Sequence, residues 1–481
     1  MNMETRTKLQ KRVLNLMVMA GLCTLLGCGS SSSSPMTSSS TTTNAAPMVV
    51  TVSDAPLSNI LSAQVMISAV SLSAGSSSSS VSLLTQPVTV ELSGLGAVQE
   101  PIEITNLAFG TYNSATVAIS AAQVTYINSA GHVTTVTATL GKPTVTVALM
   151  PALNISSKGE VQLQLAFNLA QSFSMSGSTV TFTPAINTMG AQVSTENSGD
   201  RQLEVSGQVI SISSSSITVQ SGDSGKQFAF TINSSTQFPN GAMASSIQTG
   251  SIVQVEGQTQ ADGSLLALMI TPESNENSSG KQEDGAKGII VSVTKNGSGA
   301  ITAFTMVPRE SFGSSSSSAS LNVAVSSSTT YGIPEGAQQV GVASSAFTAV
   351  ELFPGQSVVV TGTAGSSGTL NAQQVMLAAE SIPGTLAATP QGSSPNFTFV
   401  LTLAASSYLT TYDSLTSLDI SANQATEYGN SLSASSFAAL AAGASVETHG
   451  YLLQDGSGHF AFYATEISQV ETPETPEGGG D

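Results

Sequence analysis

Apolar and polar residues alternate with a period of two along much of this chain. Val88-Thr-Val90-Glu-Leu92, Val145-Thr-Val147 and Val161-Gln-Leu163-Gln-Leu165-Ala-Phe167 each place their large side chains on one face, which predicts strands with a single buried side. Between residues 48 and 194 such segments follow one another with turn signals between them. Two half-apolar sheets bury each other face to face, so this span predicts a β-sandwich. Serine runs at 76–80, 213–216 and 314–318 read as hairpin or loop insertions. One mainly apolar stretch, from Val13 to Leu26, is too short to cross a bilayer permanently as a helix.

Beyond the sandwich, one pattern recurs three times without gaps. Phe228-Ala-Phe230-Thr-Ile232-Asn-Ser-Ser-Thr236-Gln-Phe238 aligns with Leu321-Asn-Val323-Ala-Val325-Ser-Ser-Ser-Thr329-Thr-Tyr331 and with Leu418-Asp-Ile420-Ser-Ala422-Asn-Gln-Ala-Thr426-Glu-Tyr428. Each copy opens on a glycine before a strand, at Gly207, Gly288 and Gly384. Later, paired glycines bracket another strand: Gly250 and Gly257, Gly355 and Gly362, Gly443 and Gly450. A hairpin follows, whose return strand carries Ala267 with Ile270, Ala372 with Val375, and Ala464 with Ile467. So many aligned landmarks mark internal repeats. Ser435-Ser436-Phe-Ala-Ala-Leu-Ala-Ala-Gly443 predicts a short helix before the fourth strand, with serine as its N-cap and glycine as its stop. Five strands with a helix before the fourth are the layout of a small OB-like barrel.

The sandwich span also carries Val50-Thr-Val52-Ser53-Asp54-Ala55-Pro56, Gly110-Thr111-Tyr112 and Phe182-Thr183-Pro184-Ala185-Ile186. In these it resembles an uncharacterised domain family of bacterial lipoproteins that opens on Asp-Ala-Pro and carries a Gly-Thr-Tyr turn. That family brings no established activity. Leu107-Ala-Phe-Gly110-Thr-Tyr112 resembles a Leu-x-x-Gly-x-Tyr corner, in which the tyrosine hydroxyl bonds nearby backbone. The three repeats resemble an uncharacterised bacterial family of small OB-like barrels, often in tandem on exported proteins.

Arg6, Lys8, Lys11 and Arg12 precede the apolar stretch, which closes on Leu25-Leu26-Gly27-Cys28. This start resembles a bacterial lipoprotein signal. The resemblance implies cleavage before Cys28 and lipid attachment to its thiol, an anchor that several acyl chains together make stable. It also implies palmitate on an exported protein held at the cell envelope, with Gly29 pointing to the outer membrane. Cys23 would leave with the leader, so no disulfide is available to the remainder.

The organisation read from sequence is therefore a signal peptide at 1–27, a Ser/Thr-rich tether at 28–47, the sandwich at 48–194, and barrel repeats at 203–272, 286–379 and 382–469. An acidic linker at 273–285 separates the first two repeats, where the assembly is expected to bend, and an acidic, disordered tail fills 470–481. Cleavage would reduce 12 basic and 30 acidic residues to 8 and 29, a net charge of about −21. That balance opposes nucleic acid and anionic lipid, both of which need a basic footprint. Only 9% of residues are charged, so polarity comes from Ser, Thr, Asn and Gln on the outer faces of strands.

Candidate chemistry is sparse. Gly222-Asp223-Ser224-Gly225 looks like the nucleophile stretch of trypsin-like proteases, but His132, His449 and His459 are the only histidines and none lies in a matching flank. The segment reads better as a turn between strands. His449 and His459 fall on one predicted hairpin, where Glu447 or Asp455 could complete a metal site; a solvent-facing polar position is the simpler reading. Asp54 reads as a turn carboxylate rather than a cation ligand. Phe228, Phe230 and Phe238 share one strand parity and read as core, not as a stacking platform for bases.

The expected protein is all-β, a sandwich followed by three barrels, and is not an enzyme. Cys28 is its one site residue, as the lipidation site, and no catalytic, metal or cofactor residue is assigned. Its expected role is a structural, adhesive or ligand-presenting envelope protein anchored to a membrane by lipid, with no nucleic-acid partner. A glycan- or polymer-binding surface module is the alternative, and a hydrolase stands third; a glycan or an envelope protein is the expected class of partner besides the membrane.

Overall fold

The computed structural model describes residues 45–55, 58–74, 80–95, 98–128, 130–156, 161–177, 179–192, 202–239, 244–260, 262–273, 284–313, 319–365, 368–429, 432–455 and 457–469. The leader, Cys28, the tether up to residue 44, linker residues 274–283, tail residues 470–481 and the serine runs at 76–79 and 314–318 lie outside them. The chain is all-β, as the alternation predicts.

The sandwich pairs a four-stranded sheet with a larger one. In the first, Ile186–Gln192, Val161–Asn168, Ala45–Ala55 and Glu100–Ala108 lie side by side, with Ala45–Ala55 parallel to Val161–Asn168. The second is built on the long antiparallel pair Ile60–Ser73 and Gly110–Ile127. Val50, Val52, Leu163 and Leu165 from the first sheet share one core with Val65, Ile67, Val117 and Val124 from the second. The alternating residues of Val161–Asn168 thus point where their pattern predicts. Ala45–Ala55 starts three residues inside the span read as tether, because Ala46 is buried opposite Leu107. Tyr112 closes the expected corner, its hydroxyl donating to the Ala108 carbonyl at 2.9 Å.

Each repeat closes into a five-stranded barrel. The first runs Gln202–Ile212, Ser216–Ser221, Gln227–Thr231, Ile252–Thr259 and Leu265–Pro272. In the second, Leu321–Ala324 closes the sheet by pairing in parallel with Thr369–Leu377, and in the third Ser417–Ala422 pairs likewise with Phe460–Gln469. The landmarks shared by the repeats now have causes. Thr236, Thr329 and Thr426 donate to the carbonyls of Ala267, Ala372 and Ala464 at 2.8, 2.9 and 2.8 Å, and accept the amides of Asn233, Ser326 and Asn423. One hydroxyl therefore pins the turn after the third strand to the return strand of the hairpin. Gly257, Gly362 and Gly450 each sit at a register shift between the last two strands. A Cβ there would lie 2.0 Å from the Asn371 carbonyl oxygen in the second repeat and 2.1 Å from that of Tyr463 in the third, so only glycine admits the close approach.

Short helices precede the fourth strand at Glu335–Gln339 and Ala434–Ala438. The latter is capped by Ser433, two residues before the expected serine, through a bond from the Ser436 amide. Phe228 and Phe230 are core, as expected. The third repeat also has a helix the pattern does not predict, Tyr408–Asp413.

The domains are not strung out along a bending linker. Leu61 and Ile127 of the sandwich, Ile289, Val307 and Phe353 of the second repeat, and the interior of the third form one apolar cluster. Tyr451 and Leu453 of the third repeat enter the core of the second. First and second repeats touch as well: Ser311 donates its amide to the Gly222 carbonyl at 3.2 Å.

Candidate functional site

The sandwich and all three repeats converge on a cavity of about 60 Å³. Its polar groups come from strand ends and a turn, at Glu91, Glu100, Glu273 and Asp223, and from within strands, at Lys287, Arg309 and His449. Glu91 and Glu100 come from the sandwich; Glu204, Asp223 and Glu273 from the first repeat; Lys287, Arg309 and Glu310 from the second; His449 and Tyr451 from the third.

The Gly222-Asp223-Ser224-Gly225 segment is a turn between two strands, as expected, and it is also a plug. Asp223 accepts the backbone amide of Glu91 across the interface at 2.8 Å. Its other oxygen accepts from the Ser221 hydroxyl and the Ser224 amide. The same Ser221 hydroxyl lies 3.0 Å from Glu100. Just after the turn, Lys226 forms an ion pair with Glu103 of the sandwich at 2.6 Å. Burial works against the Glu103 charge, but the bonds from Lys226 and Thr85 outweigh it and hold the carboxyl below its ordinary range. Sequence reasoning found the turn, while the surface it docks on is invisible without the fold.

The second repeat contributes the cations. Arg309, buried, donates through Nε to the Leu61 carbonyl at 2.9 Å. Lys287 lies 3.6 Å from Glu310. Burial pushes Glu310 up to about 8; Lys287 opposes the rise, and Asp223, Glu273 and Glu204 add to it. Burial likewise raises Glu100 well above the ordinary carboxylate range, followed by the charge of Asp223. Glu91 is raised by burial although the Ala63 amide, Arg309, Ser62 and Ser93 all favour its charge. Glu273 is raised by burial too, with Lys287 and the Ser206 hydroxyl, at 2.9 Å, drawing it down.

His449 and His459 are not brought together. His449 pairs across the hairpin with Glu466, roughly 20 Å of strand from His459 at about 3.3 Å per residue. His449 lies 2.9 Å from the Ser381 hydroxyl and is lowered to about 4 by burial, then by the charges of Lys287 and Arg309. The solvent-facing position expected for it is corrected: it is half-buried and lines the cavity shared with the neighbouring domains. His459 is exposed and sits 3.0 Å from Asp419. Glu447 is buried on the His449 strand, whereas Asp455 lies in the turn beside His459. Among the described residues, no group of three or more His, Cys, Asp or Glu is arranged to hold a metal ion. Asp54 is buried near the end of its strand, opposite Phe167. Cys28 lies outside the described residues.

Sequence reasoning missed Glu380 and Tyr408. The Tyr408 hydroxyl lies 2.5 Å from Glu380, and its amide donates to Ser58 of the sandwich at 2.9 Å. The only sequence signal is a glutamate between two repeats, at a position that strand alternation leaves ambiguous.

Residues 206–271, nearly the whole first repeat, match a family described as "Domain of unknown function (DUF5666)". No curated protein matches the chain. Among solved structures, the chain is similar to a deletion mutant of the single-stranded DNA-binding protein from Thermus aquaticus, at 14% identity and a TM-score of 0.17, covering 40% of this chain and 97% of that one. The wild-type form matches at 12% identity and a TM-score of 0.18, covering 41% and 96%. The expected exclusion of nucleic acid is corrected on this finding. It rested on charge and on reading Phe228, Phe230 and Phe238 as core rather than as a stacking platform, while the solved chains that match include binders of single-stranded DNA. At these TM-scores the likeness carries no statement about what this chain binds, and the expected glycan or envelope partners are not carried forward.

Proposed function

We propose that this chain is a non-catalytic, lipid-anchored protein of the bacterial cell envelope, whose sandwich and barrels act as one packed structural body on a tether. The reading draws its location from Leu25-Leu26-Gly27-Cys28 and from the resemblance of 48–194 to a lipoprotein domain family. Its structural character is carried by the junction: Asp223, Lys226 and Arg309 spend their bonding capacity across domain boundaries rather than on an open cleft. Aligned landmarks extend the family of the first repeat to the second and third.

Membrane fractionation and palmitate labelling of wild type and Cys28→Ala test the anchor. The wild type is expected in the membrane fraction, labelled, with its processing blocked by globomycin. The variant is expected unlabelled and soluble. A variant that stays membrane-bound and normally processed would overturn the reading.

A further inference from the structure

Ser221 presents a geometric problem that only a proton solves. Its hydroxyl is within hydrogen-bond distance of two carboxyl groups, Asp223 and Glu100. A hydroxyl carries one hydrogen and can donate to one of them. The second contact becomes a full hydrogen bond when that carboxyl is protonated and donates to the hydroxyl oxygen in return. Asp223 already accepts the amides of Glu91 and Ser224, bonds that favour a carboxylate. Glu100, 8% exposed, is therefore the group that carries the proton.

The wider charge balance agrees. Six carboxyl groups line the cavity: Glu91 and Glu100 on the sandwich, Glu204, Asp223 and Glu273 on the first repeat, and Glu310 on the second. Lys287 and Arg309 are the lining cations, while His449 and Tyr451 face the cavity from the third repeat. Lys226 is not part of the lining and is paired with Glu103. Two cations cannot neutralise six carboxylates in so small a space. Three of the carboxyls that act on one another, Glu100, Asp223 and Glu310, belong to three different domains. Their repulsion when ionised is directed across domain boundaries.

We propose that the junction is a proton-operated latch: a proton on Glu100, shared through Ser221 with Asp223, holds the sandwich and the first two repeats closed, and its loss to solvent loosens them. The sign follows from linkage. Glu100 and Glu310 are both raised from an ordinary 4.5, the latter to about 8. The stabilisation from Glu310 is thus fully present below about 4.5 and is lost as pH rises through about 8, and that from Glu100 is lost in the same direction. The latch is shut in mild acid and slackens as pH rises.

Hydrogen exchange of the full chain, corrected for the chemical exchange rate, tests this from about pH 5 to about pH 9. Protection at the amides of Glu91, Ser224 and Ser311, which bond at or across the junction, should fall about tenfold per pH unit for each proton released. In Glu100→Gln, a neutral side chain that still donates to Ser221, the dependence should lose about one proton's worth of slope. Protection that does not change with pH in the wild type, or identical slopes in both proteins, would overturn the proposal. Infrared spectroscopy of the wild type at neutral pH keeps it testable if the variant fails to fold: a protonated-carboxyl stretch is expected, and its absence would sink the latch.

Discussion

Thr236, Thr329 and Thr426 occupy one position in three barrels, and each uses a single oxygen to accept one backbone amide and donate to one carbonyl. Removing that oxygen leaves two buried backbone groups without a partner, a cost of about 1 to 3 kcal/mol. Thr329→Val should therefore lower the denaturant midpoint by an amount in that range, while Thr329→Ser keeps most of the stability. Tyr112 offers a milder comparison. Its hydroxyl satisfies one carbonyl, so Tyr112→Phe is expected to cost about 1 kcal/mol in the same measurement. Both threonine and tyrosine stand out in the sequence, one by repetition and the other by its corner motif. The threonines' carbonyl partners do not, because they lie tens of positions further along the chain.

At the scale of the element, the glycines of the repeats separate into two kinds. Gly362 lies at a register shift where a Cβ would strike the Asn371 carbonyl, whereas Gly368 has φ +73° with nothing within 4 Å of an added Cβ. Gly362→Ala should destabilise the second barrel by more than the roughly 1 kcal/mol expected of Gly368→Ala, since one meets backbone and the other only its own dihedral preference. Calorimetry of the two variants would rank them. Repetition marked Gly362 and its counterparts, and the strand register explains them. The helix Tyr408–Asp413 escaped notice for the opposite reason: it is six residues long, contains two threonines and lacks a side-chain cap bond. Tertiary burial of Tyr408 and Leu409 stabilises it instead. Its tyrosine donates to Glu380, which burial raises to about 7 despite that bond. Tyr408→Phe should thus cost about 1 to 3 kcal/mol, and more above pH 7 than below it, because the ionised carboxylate loses a donor that the neutral acid needs less. Thermal unfolding at several pH values would show the difference.

Across the whole molecule, Asp223 joins the first repeat to the sandwich without belonging to either core. Asp223→Ala should leave circular dichroism unchanged while increasing protease sensitivity at the junction, since the Glu91 amide and the Ser221 hydroxyl lose an acceptor. Asp223→Asn, which keeps an acceptor oxygen, should fall between that variant and wild type. Equal protease sensitivity in all three would remove Asp223 from the account of docking. The alternation of Val161–Asn168, the three aligned copies and the parity of Phe228 with Phe230 determined an all-β chain of one sandwich and three barrels, because periodicity records which face of a strand is buried. Only the tertiary structure decided that those domains meet around a cavity, that a turn resembling a protease motif is a plug, and that His449 lines the cavity half-buried. Those outcomes depend on which surfaces face each other across domain boundaries, and local periodicity holds no record of that.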